Sequence, residues 1–205
     1  MDLPEEFLAL ASIYQRNGHS LYMVGGTSRD YLLGGFCRDF DLVGDATPSE
    51  AKVFLNGEKL NVDLTFARFG TIKVKFMGQS IDVATFREEG EYNDSRHPSF
   101  IRFIKSMEID SKRRDFTINA LYVDALGKVY DFHGGMEDME NRLIRFIGDP
   151  YVRIKEDPLR ILRGERFASR LGFQIEEKSL RAMNELRGEL DKLNPEKVTM
   201  EKKKR

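Results

Sequence analysis

Apolar and polar positions change rhythm along the chain, and the changes mark its elements. Residues 6–15 read as a helix that Asn17-Gly18 stops. A short apolar strand at residues 21–24 runs into Gly25-Gly26 and then a helical stretch over residues 27–33. Further strands are predicted at residues 40–43, 62–66, 71–76 and 81–86, with Gly70 and Gly78 as breakers. The polar stretch 87–99 carries charges and Pro98, which predicts a loop. Residues 121–123 and 129–132 flank a turn at Gly127-Lys128, a hairpin signal. Beyond Gly148-Asp149-Pro150 no strand pattern remains, only helical segments separated by Gly172 and Asn194-Pro195. The pattern predicts an α/β (α+β) domain with a mixed sheet over residues 1–149, followed by an all-helical one over residues 150–205. No internal repeat or low-complexity segment interrupts it.

Composition narrows this picture only in places. At 205 residues, 40% apolar, the chain suffices for one compact domain and part of a second. No apolar run approaches the roughly 20 residues that span a bilayer, so no membrane association is expected. The acidic start, Met1-Asp2-Leu3-Pro4-Glu5-Glu6, lacks the layout of a signal peptide. One cysteine, Cys37, excludes an internal disulfide framework and fits a reducing cytoplasm. Net charge is −1, so any phosphate contacts must come from local clusters. The closing Lys202-Lys203-Lys204-Arg205 fits a solvated tail. Oligomeric state is not legible.

Four segments carry candidate chemistry. In the first, a strand leads through Gly25-Gly26 into a helix with Arg29 in its first turn. Glycines let a backbone approach phosphate, helix-start amides donate to it, and an arginine adds a bidentate contact. In the second, Arg38-Asp39-Phe40-Asp41-Leu42-Val43, alternation puts Asp39 and Asp41 on one strand face. Carboxylates about 6–7 Å apart along a strand can converge on a divalent ion, and magnesium accepts such a set. An isolated Asp-x-Asp also fits a solvated strand edge; the phosphate-type turn just before it favours the metal. Asp82, between Ile81 and Val83, either joins this pair as a third carboxylate or is an exposed strand residue.

The third segment, Lys112-Arg113-Arg114-Asp115-Phe116-Thr117-Ile118-Asn119-Ala120, offers arginines for a triphosphate and an Asp for a ribose hydroxyl. It equally fits a charge cluster at a helix end. The fourth runs from Glu156 to Phe167. Asp157 as N-cap and Pro158 in the first turn start a helix on which Asp157, Arg160, Arg163 and Arg166 form a slanting row. Spacing alone leaves open a capped helix with a solvated basic face.

In this order the segments resemble the tRNA nucleotidyltransferases that build the CCA end, in the bacterial-type branch shared with bacterial poly(A) polymerase. The matching text includes Val24-Gly25-Gly26-Thr27-Ser28-Arg29-Asp30, residues 38–43, Phe69-Gly70-Thr71, Arg96-His97-Pro98, residues 113–120, Gly134-Gly135 with Asp138, residues 144–150 and residues 156–163. The likeness covers about residues 21–173.

The resemblance implies a nucleotidyltransferase head, residues 1–149, and a helical neck, residues 150–205. It implies that Gly26 and Arg29 bind the triphosphate and that Asp39 and Asp41 hold Mg2+ as the catalytic carboxylates. Arg114 would contact the nucleotide, Asp157 and Arg160 would read the incoming base, and Arg163 and Arg166 would complete the site. The substrates implied are CTP, ATP and a tRNA 3′ end. Cytosine and adenine each present an exocyclic amine beside a ring acceptor, so a carboxylate and an arginine together admit both. The resemblance leaves room for a poly(A) polymerase or an A- or CC-adding specialist, and decay to a non-catalytic nucleotide- or RNA-binding protein is the alternative of another class. An aminoglycoside-type nucleotidyltransferase shares an Asp pair but is not expected to carry the Asp157-to-Arg163 row.

Departures from the family pattern are Lys197, where an arginine is usual, and His133 before Gly134-Gly135. The family's long helical tRNA-gripping region is expected to be mostly missing beyond Arg205, which predicts intact nucleotide chemistry and weak tRNA affinity.

Overall fold

The computed structural model describes residues 2–35, 40–92 and 97–204. Its elements are α1 (Glu5–Arg16), β1 (Leu21–Met23), α2 (Gly25–Leu32), β2 (Asp41–Gly44), α3 (Pro48–Gly57), β3 (Asn61–Asp63), β4 (Thr71–Phe76), β5 (Gln79–Thr85), β6 (Arg87–Glu89) and β7 (Ile101–Phe103). Then come α4 (Met107–Lys112), β8 (Leu121–Val123), β9 (Val129–Asp131), α5 (Gly135–Glu140), β10 (Leu143–Ile144), α6 (Pro150–Glu156), α7 (Leu159–Leu171), β11 (Gln174–Ile175), α8 (Glu177–Glu185) and α9 (Pro195–Lys203).

The chain divides into two compact units that interleave along the sequence. The first comprises Met1–Glu88, Ile101–Ser111 and Leu121–Phe132; the second comprises Glu89–Phe100, Lys112–Ala120 and His133–Arg205. The linear boundary expected at residues 149–150 falls inside the second unit.

The first unit is built on a seven-stranded mixed sheet in the order β3-β4-β5-β2-β1-β8-β9. All neighbours run antiparallel except β2 and β5, which are parallel. On α1, Phe7, Leu10, Ala11 and Tyr14 recur at helical spacing and are buried together with Leu42, Leu55, Val74 and Ile81. Helix α3 lies outside the elements expected from periodicity. Its signal was capping chemistry: Thr47 Oγ1 accepts from the Glu50 amide at 3.3 Å, Glu50 Oε2 from the Thr47 amide at 2.9 Å, and Pro48 follows. The opposite sheet face carries a smaller cluster of Val24, Val43, Phe86 and Tyr122.

The strand expected over residues 62–66 ends at Asp63. The Asp63 carboxylate takes the Thr65 amide at 2.8 Å and the Thr65 hydroxyl at 2.6 Å, a local turn that outcompetes the ladder. The stretch expected as a loop over residues 87–99 begins as β6, which pairs with β7. A two-residue hairpin loop joins β4 to β5, with φ of 49° at Met77 and 77° at Gly78.

The second unit is mostly helical, with one departure from expectation. Strand β11 pairs in parallel with β10, so a strand does occur beyond Pro150. Its two residues are too few to leave a periodic signal, and their partner is distant in sequence. Phe116 is fully buried, 4.7 Å from the Phe146 ring centroid and 5.9 Å from that of Phe167. Gly164 permits this packing, because a Cβ there would lie 3.1 Å from Phe116 and 3.2 Å from Met183. Among the described residues no helix is long and apolar enough to cross a membrane.

Candidate functional site

In the first unit the chemistry gathers where β1 passes into α2. Val24 is extended, its amide donates to the Asp41 carbonyl at 3.1 Å, and Gly25 then turns at φ 64° to begin the helix. A side chain at Gly25 would place its Cβ 3.6 Å from Asp41 Oδ2, so the glycine both supplies the left-handed conformation and clears space for the carboxylate. Thr27 Oγ1 accepts from the Asp41 amide at 2.7 Å, fixing the start of β2 to the first turn of α2. Asp41 itself is exposed.

Gly26 sits in this turn, where a Cβ would lie 3.6 Å from Arg29 Nη2. Arg29 is 1% exposed, and Nε and Nη2 both donate to Asp30 Oδ1, at 2.8 and 2.6 Å. Its guanidinium therefore braces the turn, and a phosphate contact would require exchange of the Asp30 carboxylate. Asp39 and Cys37 lie outside the described residues.

The sheet also settles where Asp82 stands. Parallel pairing puts Asp82 directly beside Asp41, and antiparallel pairing puts Lys73 beside Asp82. Partners in register share a face, so these side chains form a row across β4, β5 and β2. Lys73 Nζ lies 3.0 Å from Asp82 Oδ1, an oxygen that is shut from solvent yet accepts no hydrogen bond. Two carboxylates side by side on neighbouring strands repel each other, a local conflict that a cation relieves. Among the described residues no group of three or more His, Cys, Asp or Glu is placed to hold a metal ion. A carboxylate pair beside a glycine turn still suits a magnesium ion, which fills most of its shell with water and phosphate oxygens.

In the second unit the expected row on α7 is present, but it is not a solvated basic face. Asp157 is extended, just before Pro158, and its Oδ1 accepts from the Leu159 amide at 3.2 Å, so it caps the helix as expected. Its Oδ2 lies 3.6 Å from Arg163 Nη2, and Arg163 Nε lies 3.3 Å from Asp115 Oδ2. Arg163 thus bridges two carboxylates. Burial raises the Asp115 pKa, but Arg163, the Phe116 amide, Arg160 and Asn119 outweigh it and hold the carboxyl below its ordinary value.

Arg160 is 3% exposed. Its Nη1 donates to Glu156 Oε2 at 2.6 Å and to the Arg153 carbonyl at 2.7 Å, while its Nε is buried without a hydrogen-bond partner. Arg153 shares Glu156 Oε2, also at 2.6 Å, and its Nη2 donates to the carbonyls of Arg113 and Arg114 at 2.6 and 2.7 Å. Through its backbone, Arg114 is therefore tied to α6. Tyr92 completes the cluster: Arg160 lies 5.8 Å from its ring centroid, and its hydroxyl donates to Glu89 at 2.5 Å. Burial, then Glu89, push the Tyr92 hydroxyl up to about 12.

Arg166 departs from the rest of the row. Its guanidinium lies 3.0 Å from Glu201 on α9, so this arginine ties α7 to α9. Sequence reasoning missed Lys73, Arg153, Tyr92 and Glu201. Only Lys73 had a usable signal, since counting back from the Met77-Gly78 turn places it opposite Asp82.

A family model described as the poly(A) polymerase head domain matches residues 21–145. The chain is 42% identical over 202 residues to a CCA-adding enzyme of Enterococcus faecalis, covering 97% of this chain and 49% of that protein. It is 39% identical to a CCA-adding enzyme of Lactobacillus helveticus, covering 97% and 50%. Among solved structures it resembles the Bacillus stearothermophilus CCA-adding enzyme in complex with CTP, with a TM-score of 0.86 and 32% identity over 96% of this chain and 47% of that one. It also resembles a tRNA nucleotidyltransferase complexed with a primer tRNA and an incoming ATP analogue, with a TM-score of 0.74 and 31% identity over 94% and 54%. The chain spans about half the length of the curated relatives it matches.

Proposed function

The chain belongs to the poly(A) polymerase head-domain family, and from that premise we propose that it adds C and A nucleotides, without a nucleic-acid template, to the 3′ end of tRNA. The observation that carries this reading is Asp41 packed against the Gly25-Gly26 turn, with Thr27 fixing its backbone. Relatives of known activity, and structures of relatives with CTP and with a primer tRNA, support the substrate assignment.

In this reading the amides at the start of α2 donate to triphosphate oxygens, and Gly25 and Gly26 let them approach. Asp41 is the carboxylate for Mg2+, together with Asp39, two residues earlier in sequence, and Asp82, its neighbour in register. Bound there, the ion supplies Lewis-acid stabilisation of the reacting phosphate and lowers the pKa of the attacking hydroxyl. The RNA 3′-hydroxyl attacks the α-phosphate and pyrophosphate leaves, with no covalent enzyme intermediate. Arg29 holds the turn through Asp30.

The neck supplies selection. Asp157 accepts the exocyclic amine of cytosine or adenine, and Arg160 donates to the ring acceptor beside it. Glu156 and Arg163 keep these two side chains in place, Arg114 contacts the nucleotide, and Arg166, held by Glu201, braces α7 against α9. We assign catalysis to the first compact unit and base reading to the second, which takes in residues 112–120 as well as residues 150–205, acting in the cytoplasm.

The test is incubation with tRNA lacking its CCA end, Mg2+ and each triphosphate separately or together, followed by sequencing of the 3′ ends. Ordered addition of C, C and A is the expected result. Long A tracts would identify a poly(A) polymerase instead, and no extension with intact triphosphate binding would identify a binding protein.

A further inference from the structure

Lys73 belongs to no motif, yet it stands in the same row as the proposed metal ligands. Across four adjacent strands the register places Asp63 beside Lys73, Lys73 beside Asp82, and Asp82 beside Asp41. Asp63 is already engaged by the Thr65 amide and hydroxyl. The Lys73 ammonium lies 3.0 Å from Asp82 Oδ1, and its charge adds to the Thr65 hydrogen bonds in holding the Asp63 carboxyl below its ordinary pKa. That oxygen accepts no hydrogen bond although it is shut from solvent, so Lys73 balances its charge without saturating its lone pairs. Lysine and aspartate side chains are each 43% exposed, so the pair sits where water can replace either partner at little cost.

We propose that Lys73 is a positioning residue for the divalent-ion site: its ammonium holds the Asp82 carboxylate beside Asp41 and yields it when the ion is bound, thereby setting the site's affinity for the ion. The inference rests on the reading of Asp41 and Asp82 as ligands. Two carboxylates with no cation near them would repel, and Asp82 would swing away from the row. A permanent cation at Asp82 also repels an arriving dication. Lys73 therefore exchanges ion affinity for a preformed site, and only a flexible, exposed ammonium can do both.

The experiment is a Mn2+ titration read by the EPR signal of the free ion, on the intact chain and without nucleotide. Coulomb repulsion between a monocation and a dication several ångströms apart in a water-like medium corresponds to about ten-fold in affinity. Lys73→Met is expected to tighten Mn2+ binding by about that factor at low salt, and by less at high salt. Lys73→Arg keeps the charge and is expected to stay close to the wild type. On an Asp82→Asn background, Lys73→Met is expected to tighten binding by much less, because the ammonium is no longer held at the site by that carboxylate. Unchanged or weaker binding in Lys73→Met, or the same tightening with and without Asp82, overturns the role of Lys73. Asp41→Asn separates the two levels: if it leaves Mn2+ binding intact, the metal reading itself falls, whereas if it weakens binding while Lys73→Met is silent, only Lys73 is wrongly placed. Circular dichroism confirms that each variant is folded.

Discussion

The sheet site of the first unit and the arginine cluster of the second handle charge in opposite ways. On the sheet, Asp41 and Asp82 stand in register on neighbouring strands, with the Lys73 ammonium beside Asp82. On the helices, Glu156 is shared by Arg153 and Arg160, and Arg163 is shared by Asp115 and Asp157. Among these three side chains two carboxylates face one ammonium, which suits a place for a cation to arrive. The second balances three arginines with three carboxylates and is largely buried, which suits side chains that, as proposed, keep one orientation while a neutral base is compared. In the proposed reading, one site recruits charge and the other measures shape and hydrogen bonds, and these tasks call for different electrostatics.

The sharpest way to break this contrast is Asp41→Ala. Nucleotidyl transfer is expected to fall at least about a thousandfold, since loss of a metal ligand removes several kcal/mol of transition-state stabilisation. Thermal stability is expected to hold or rise, because a like-charge neighbour of Asp82 has been removed. Transfer near the wild-type rate would sink the metal assignment.

The converse change in the helical unit is Glu156→Gln. It leaves Arg153 and Arg160 without their shared counter-charge in a largely buried setting, at a cost of about 2–3 kcal/mol. Chemical denaturation should record this loss, and a variant as stable as the parent would show that the carbonyl contacts suffice for the two arginines.

Asp157→Ala tests selection more narrowly. Preference for CTP and ATP over UTP and GTP is expected to shrink by about 1–3 kcal/mol, the worth of one lost base contact. A smaller part of the effect is stability, since the Leu159 amide loses its acceptor. Equal weakening toward all four triphosphates would reduce Asp157 to a helix cap.

The smallest effect concerns acid. Asp115 is held below its ordinary pKa, so the stability it contributes is present above about 3.9, the unfolded value, and is lost as pH falls through the folded value. Arg163→Met removes the leading favourable charge and raises the folded pKa. In pH-dependent denaturation its deficit relative to the parent is expected to be full near neutrality and to close as pH falls below about 4. A deficit independent of pH would mean that Arg163 stabilises by packing alone.

Much of this was legible in the sequence, for reasons particular to each element. The turn at Gly25-Gly26 announced itself because few residues other than glycine adopt φ 64° there. Strand β4 and the hairpin strands β8 and β9 were legible from short-range pattern and turn chemistry. Helix α3 went unread, although Thr47-Pro48-Ser49-Glu50 carried its signal through capping rather than periodicity. The slanting row on α7 followed from spacing, whereas its burial did not: nothing local distinguishes Arg160, locked to Glu156, from an arginine in water.

The sequence by itself determined which residues have the chemistry, because charge, hydroxyls and glycine turns are local properties. It also set the pairing of Lys73 with Asp82, because a two-residue turn fixes an antiparallel register by counting. Only the tertiary structure decided that Asp82 stands beside Asp41. Strands β2 and β5 pair in parallel across a long connection, and no local rule sets the register of such a pair. Tertiary structure likewise gave Arg166 to Glu201 and Arg160 to Glu156, since ion pairs form between whichever charges the packed backbones bring within reach.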